Sequence, residues 1–354
     1  MKAKEPTGRY IVRLRKHPTL APQLEAARMF AFSLTQAQDI RFLGATSFAA
    51  KMTVESALTV AARPEVQAVF EDGRKKIREA AASWGTERVF QRSLPLDGQY
   101  DRGPFDGTGV HFFGLDTGID TTHPEFAGRV GVGFSVFGGQ PTDGHGHGTH
   151  TAATAAGKTF GVAPGMTVHA VKGLNDQGSG SDEGIIVDLQ WIQDTVTENH
   201  WRAVVNMSIG GGDSWPLNMK VCEVTAAGIP VAAAAGNESA DADTSSPGRV
   251  AQALTVAASD KSDDWAWFSN FGPIIDVIAP GYDIISAKPG GGSATMSGTS
   301  MATPHVAGAV GIYLQAHPLA TPAQVAAALI SQSTPDKIHG VPSQTQNRLL
   351  FARE

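Results

Sequence analysis

Four short stretches of the 354-residue chain carry side chains suited to acyl transfer, and the last is built around a serine. Gly298-Thr299-Ser300-Met301-Ala302-Thr303-Pro304 leads into residues 303–317, where Val306, Val310, Ile312 and Leu314 interleave with Ala307, Gly308, Ala309 and Gly311. The spacing predicts a helix whose small residues let neighbours come close, hence a buried one. Pro304 is placed in its first turn, where a missing N–H has no intrahelical partner to lose. Ser300 then stands on a glycine-supported turn at a helix N-terminus, where backbone N–H groups favour developing negative charge. That suits a nucleophile, although a lone serine there more often just caps the helix.

A nucleophilic serine needs a base, a group that orients the base, and a donor for the oxyanion. Leu115-Asp116-Thr117-Gly118-Ile119-Asp120 offers a carboxylate. Asp-Thr-Gly is also how an aspartic protease presents its carboxylate, but that chemistry needs two such loops sharing a proton. The chain has one Asp-Thr-Gly and no Asp-Ser-Gly, so that reading fails. Asp143-Gly-His145-Gly-His147-Gly148-Thr149-His150 offers imidazoles. Three histidines this close invite zinc, as in the His-x-His-x-Asp-His cluster of metallo-β-lactamase-like hydrolases. Here Thr149 stands where that cluster has its aspartate, and no matching downstream ligand series follows. The third partner is the asparagine of Ala235-Gly236-Asn237, whose side-chain amide can donate to an oxyanion.

The elements that must position these groups are legible in outline. Residues 10–15 alternate like a strand, 21–32 have helical spacing, 39–45 and 48–53 read as a strand pair, 54–62 as a helix and 66–70 as a closing strand. This predicts a small α+β unit of ferredoxin-like βαββαβ order over residues 1–80. A charged stretch follows, and a domain boundary is expected within 74–84, the second domain spanning 81–354. From residue 110 on, short apolar runs at 111–115, 168–171, 203–207, 229–234 and 254–257 alternate with helical patterns at 185–196 and 219–227. Such alternation predicts an α/β domain, a mostly parallel sheet with helices on both faces and its active site at the carboxyl ends of the strands. There are no internal repeats or low-complexity tracts.

Composition narrows the function classes. With 42% hydrophobic and 18% charged residues and 40 glycines, this is an ordinary globular chain with many tight turns. Its single cysteine, Cys222, excludes an internal disulfide framework and a cysteine-based zinc site. No apolar run is long enough to cross a bilayer. The polar start lacks a signal-peptide core, so the protein either stays inside the cell or begins after a removed signal. Residues 1–80 hold 14 Lys+Arg against 8 Asp+Glu, a net of +6, and the remainder 14 against 26, a net of −12. The basic residues are scattered without aromatic interleaving, which argues against nucleic acid and for attraction between the two halves.

Asp116, His147, Asn237 and Ser300, in that order and inside extended motifs, resemble the subtilisin-like serine proteases (peptidase S8), in particular the proteinase K-like group. The matching stretches are Asp116-Thr-Gly-Ile-Asp-Thr-Thr-His-Pro-Glu-Phe126, Gly146-His-Gly-Thr-His150, Asn206-Met-Ser-Ile-Gly-Gly211, Ala235-Gly-Asn237 and Gly298-Thr-Ser-Met-Ala-Thr-Pro-His-Val-Ala-Gly308. Similarity runs from about Trp84 to Phe351. Asp…His…Ser is the order the general rule itself gives for subtilisin, so it is matched here rather than predicted.

The resemblance implies a serine endopeptidase of subtilisin-like fold. Ser300 would be its nucleophile, His147 its base, as first histidine of His-Gly-Thr-His, and Asp116 the orienting acid. The Asn237 amide and the Ser300 N–H would meet the oxyanion. Gly178-Ser179-Gly180 and Ser208-Ile209-Gly210 would flank the cleft and pair with an extended peptide, with residues 232–236 as a small, uncharged pocket wall and a broad, apolar-leaning preference. No cofactor is needed for this chemistry. The calcium loop many subtilisins carry after the histidine helix is missing from the short stretch 157–162, whereas another calcium site would map to the carbonyls of Ala251 and Ala253 and the carboxylate of Asp276. The basic unit would be an inhibitor I9-type propeptide, cleaved between about Lys76 and Trp84 and held as an intramolecular inhibitor. The expected partners are protein or peptide substrates, not nucleic acid or membrane, and the expected state is a monomer. Secretion is the family's usual fate. A peptide-binding pseudoprotease and a serine esterase on the same scaffold are the alternatives.

Overall fold

The computed structural model describes residues 8–15, 20–44, 46–71, 79–80 and 82–354, and the chain divides into two compact units, Met1–Ile77 and Arg78–Glu354. The stretch 72–78 and residue 81, where the expected cleavage largely falls, lie outside the described residues.

In the first unit the strand Arg9–Leu14, the helix Leu20–Ser33, the strands Gln38–Gly44 and Ser47–Lys51, the helix Val54–Ala61 and the strand Val66–Glu71 follow one another. The four strands form an antiparallel sheet in the order second, third, first, fourth. Alternation along the first strand sends Tyr10, Val12 and Leu14 to one face. There they pack with Phe30, Ala31, Phe48, Ala50, Val60 and Val66 from the helices and neighbouring strands.

The second unit is organised on a nine-stranded sheet. In spatial order its central strands are Val277–Pro280, Leu254–Ser259, Val231–Ala234, Ala203–Met207, His111–Asp116 and Thr167–Lys172, all parallel. Such strands are buried on both faces, which is why they read as unbroken apolar runs. Successive residues feed opposite cores. Phe112, Val204 and Ala232 meet the helices His147–Ala156 and Thr299–Ala316, whereas Phe113, Val205 and Ala233 share a core with Asp182–Asn199 and Trp215–Ala226. From His111–Asp116 the chain goes first to Thr167–Lys172 on one side, then to Ala203–Met207 on the other. The strand ending in Asp116 therefore sits where the winding reverses, the usual crevice of such sheets.

At the start of this unit the short helix Trp84–Arg88 is sunk into the body. Arg88, fully buried, donates to both carboxylate oxygens of Asp263 at 2.7 and 2.8 Å, and Thr86 Oγ1 donates to the Phe160 carbonyl at 2.6 Å.

One expectation is corrected. The serine helix spans Thr299–Ala316, starting four residues before the predicted 303, so Pro304 lies inside it beyond the first turn. A proline there leaves the carbonyl four residues earlier without its helical partner. That carbonyl belongs to Ser300, and it accepts instead from Ser208 Oγ at 2.7 Å. The Ser300 carbonyl is thus satisfied from outside the helix, so the helix tolerates the ring.

Candidate active site

Asp116 is the last residue of its strand and is completely buried. Its carboxylate accepts from Thr117 N–H at 2.7 Å and Thr151 Oγ1 at 3.3 Å. His147 Nδ1 lies 2.7 Å from Oδ1 and 2.9 Å from Oδ2. With an ionised aspartate as acceptor, Nδ1 must carry the hydrogen, which leaves Nε2 able to accept a proton. Burial pushes the His147 imidazolium toward losing its proton, but the Asp116 charge and hydrogen bond outweigh this and, with Asp143 adding to them, hold its pKa above the usual histidine value.

His147 opens the helix His147–Ala156 from a left-handed Gly146 at φ +105°. Two features hold this helix start against Asp116. At Gly148 a Cβ would lie 2.0 Å from the Gly118 carbonyl and 3.1 Å from Asp116 Cβ, so only glycine permits the approach. The buried Asp143 carboxylate gathers the N–H groups of His145, Gly146 and Thr149 and the hydroxyls of Thr117 and Thr149, at 2.6–3.0 Å. Sequence reasoning missed Asp143 as an organiser. Its signal was present as an aspartate just before the histidines, but five converging donors are not visible in spacing.

The three histidines turn to different partners. His147 meets Asp116, His150 is buried with Nε2 3.0 Å from the Ile284 carbonyl, and His145 lines the groove beside His147. Burial pushes the His150 pKa down to about 4, keeping that ring neutral.

Ser300 is the second residue of its helix, its N–H among the unpaired donors of the first turn. Its hydroxyl donates to the Ser208 carbonyl at 3.0 Å rather than to His147. Since Ser208 Oγ donates back to the Ser300 carbonyl, the two residues clasp each other. Catalytic hydrogen bonds often form only when substrate arrives, and a bond to His147 would require the hydroxyl to rotate off Ser208. Asn237 is exposed just after a left-handed Gly236. Its Oδ1 accepts from Thr299 N–H at 2.8 Å and Thr299 Oγ1 at 3.0 Å, which fixes the amide, and its Nδ2 has no hydrogen-bond acceptor among the described residues. Thr299, unremarkable in the sequence, thus orients this donor.

A groove of about 690 Å³ runs along His147, lined by Gly178, Ser179 and Gly180 on one side and Ser208, Ile209 and Gly210 on the other. The structure therefore brings the two expected flanking segments to one cleft. Residues 232–236 are not among those that line it: all are buried, 232–234 in the sheet and 235–236 just past it, and Leu174, Ile185, Ile209 and Leu217 supply the apolar lining. Elsewhere, Asp276 accepts from Thr255 N–H at 2.9 Å, two residues beyond Ala253. Burial raises its carboxyl to about 6, Thr255 and Arg348 opposing.

Residues 109–348 match the peptidase S8 subtilase family. An extracellular serine proteinase of Thermus sp. (strain Rt41A) is 40% identical over 97% of this chain and 89% of its own. A subtilisin-like serine protease of Penicillium citrinum is 42% identical over 78% of this chain and 69% of its own. The crystal structure of a cold adapted subtilisin-like serine proteinase superposes with a TM-score of 0.74 at 39% identity, over 78% of this chain and all of that one. A buried aspartate holding the first residue of one helix, a serine opening another, and a cleft between them accord with that kinship: the chain belongs to the subtilase family of serine proteases.

Proposed function

We propose that this protease cleaves peptide bonds through an acyl-enzyme on Ser300. The observation that carries the assignment is the His147–Asp116 pair at 2.7 Å, which leaves Nε2 as the acceptor for the serine proton. His147 takes that proton as Ser300 attacks the carbonyl carbon and returns it to the leaving amine, and Asp116 holds the tautomer and stabilises the imidazolium without being protonated. The Asn237 amide and the Ser300 N–H receive the oxyanion. A serine-directed organophosphonate should label Ser300 stoichiometrically and stop peptide cleavage; label on any other residue would overturn the assignment. Asn237→Ala is expected to lower kcat by about 10²–10³ with little change in KM, a range whose source is itself a subtilisin. Steady-state kinetics on a peptide amide checks it.

Substrate binds as an added strand between Gly178–Gly180 and Ser208–Gly210. The apolar lining supports a broad preference for apolar side chains on the acyl side. The βαββαβ order and +6 charge of residues 1–80, against −12 for the rest, support reading the first unit as an inhibitory propeptide and the protein as a zymogen. The extracellular Thermus relative supports secretion. We take the mature enzyme to act as a monomer.

Calcium chemistry is not part of the reaction. A partly buried carboxylate suits a hard cation, so Asp276, with the Ala251 and Ala253 carbonyls that the family resemblance implies, would hold structural calcium. A chelator should then lower the Tm of the wild type and leave that of Asp276→Ala unmoved. An unchanged wild-type Tm would rule the site out.

A further inference from the structure

The helix Asp182–Asn199 turns an apolar stripe to the core through Ile185, Leu189, Ile192 and Val196, and Asp188 lies on that same stripe. Asp188 has no exposed surface, and neither carboxylate oxygen has a hydrogen-bond partner among the described residues. The mechanism does not use it. Nor do the charged groups around it reach it. On the adjoining strands Asp116 engages His147, Lys172 engages Thr117 and Asp176, and His169 engages Val132 and His111. On the adjoining helix Lys220 engages Gln190, Gln193 and Glu223.

What Asp188 does touch is the back of the substrate groove. A Cβ on Gly173 would stand 2.4 Å from Asp188 Oδ2 and 2.9 Å from Leu115 Cδ2, so the carboxyl packs directly beneath the Gly173 backbone. Gly173 and Leu174 donate their N–H groups to the Asp116 carbonyl at 3.1 and 3.0 Å. Gly180, which lines the groove, packs in turn onto Gly173, where its own Cβ would meet the Gly173 carbonyl at 2.3 Å. The order is therefore Asp188, Gly173, then Gly180 at the cleft. We propose that Asp188 is a positioning residue: uncharged, it fills the space beneath Gly173 and sets the Gly173–Gly180 wall for peptide binding, and once ionised it disturbs that wall.

This rests on the reading of Gly178–Gly180 as a peptide-binding edge. An ionised carboxylate cannot stay unpaired in an apolar core, and water would reach it by displacing the Gly173 segment. Burial alone pushes its carboxyl up to about 7, so the change falls near neutrality. An unfolded aspartate titrates near 3.9, so between about 4 and 7 the unfolded chain sheds its proton first and stability falls as pH rises, levelling off above 7.

The test compares wild type with Asp188→Asn and Asp188→Leu on a peptide long enough to span the groove and on a short acyl ester that does not. For wild type, KM for the peptide should rise about fivefold from pH 7 to pH 8, the fall in the protonated fraction of a group titrating near 7. In both variants that rise should vanish while the kcat limb set by His147 stays in place. Coincident peptide KM profiles for wild type and variants would overturn the proposal. A wild-type KM that shifts equally for the ester would overturn the groove reading beneath it. If the variants bind peptide poorly at every pH, thermal melting decides. The Tm of Asp188→Leu relative to wild type should climb from pH 4 to pH 7, and a pH-independent difference would refute Asp188 ionisation.

Discussion

Ser300→Ala is expected to abolish peptide cleavage while leaving the fold intact. The hydroxyl contributes one hydrogen bond, to the Ser208 carbonyl, and the clasp from Ser208 Oγ to the Ser300 carbonyl does not depend on it. Alanine is also a good helix former at this position. The general figure for removing such a nucleophile, roughly 10⁶ in kcat, was itself measured in a subtilisin and is carried over rather than derived. The variant carries a second expectation for the zymogen reading. Incubated wild type should lose its N-terminal unit, leaving a new terminus at residues 77–84, whereas Ser300→Ala should keep Met1 and the full chain. N-terminal sequencing of both reads this directly. Active wild type that retains Met1 would make the first unit a permanent domain.

Asp116→Asn should lower kcat by about 10⁴ with KM nearly unchanged, the size found for the same change in another serine protease triad. The local geometry gives the reason. Thr117 N–H donates to Oδ1, and His147 Nδ1 reaches both oxygens. An asparagine satisfies Thr117 only by turning its carbonyl there, which points its NH2 at Nδ1. The imidazole must then accept at Nδ1 and carry its hydrogen on Nε2, where it cannot take the serine proton. Losing the carboxylate charge also removes what holds the His147 pKa up, so the acid limb of the residual activity should move to lower pH. An acid limb that stays where it is in the variant would mean that Asp116 does not govern His147.

Much of the fold and of the proposed site was legible in the sequence because the groups proposed to do the chemistry sit in contiguous motifs. Asp116 ends a strand whose apolar run announces it, and His147 and Ser300 each open an alanine- and glycine-rich helix. The flanking segments 178–180 and 208–210 were placed through resemblance to a family, and the structure gathers both at one groove. What spacing did not convey lay in long-range polar contacts. The start of the serine helix was misplaced because Pro304 looks like a first-turn residue until Ser208, 92 positions away, is seen to satisfy the Ser300 carbonyl. Asp143 and Thr299 were passed over for the same reason, as their function lies in which distant N–H or amide they hold. Asp188 was absorbed into a helical pattern, since periodicity cannot say that a charged type lies on the apolar stripe without a partner.

The clasp between Ser208 and Ser300 has a mechanical consequence. One residue belongs to the edge along which a peptide would lie, the other would supply the attacking oxygen, and hydrogen bonds of 2.7 and 3.0 Å in opposite senses tie them. A shift of the serine helix would then carry the peptide edge with it, so the spacing between a docked carbonyl and the Ser300 oxygen would vary less than either position alone. Pro304 removes the helical N–H that would compete for the Ser300 carbonyl, so tolerance at the proposed reaction centre would be set by one joint instead of by the sum of two independent motions.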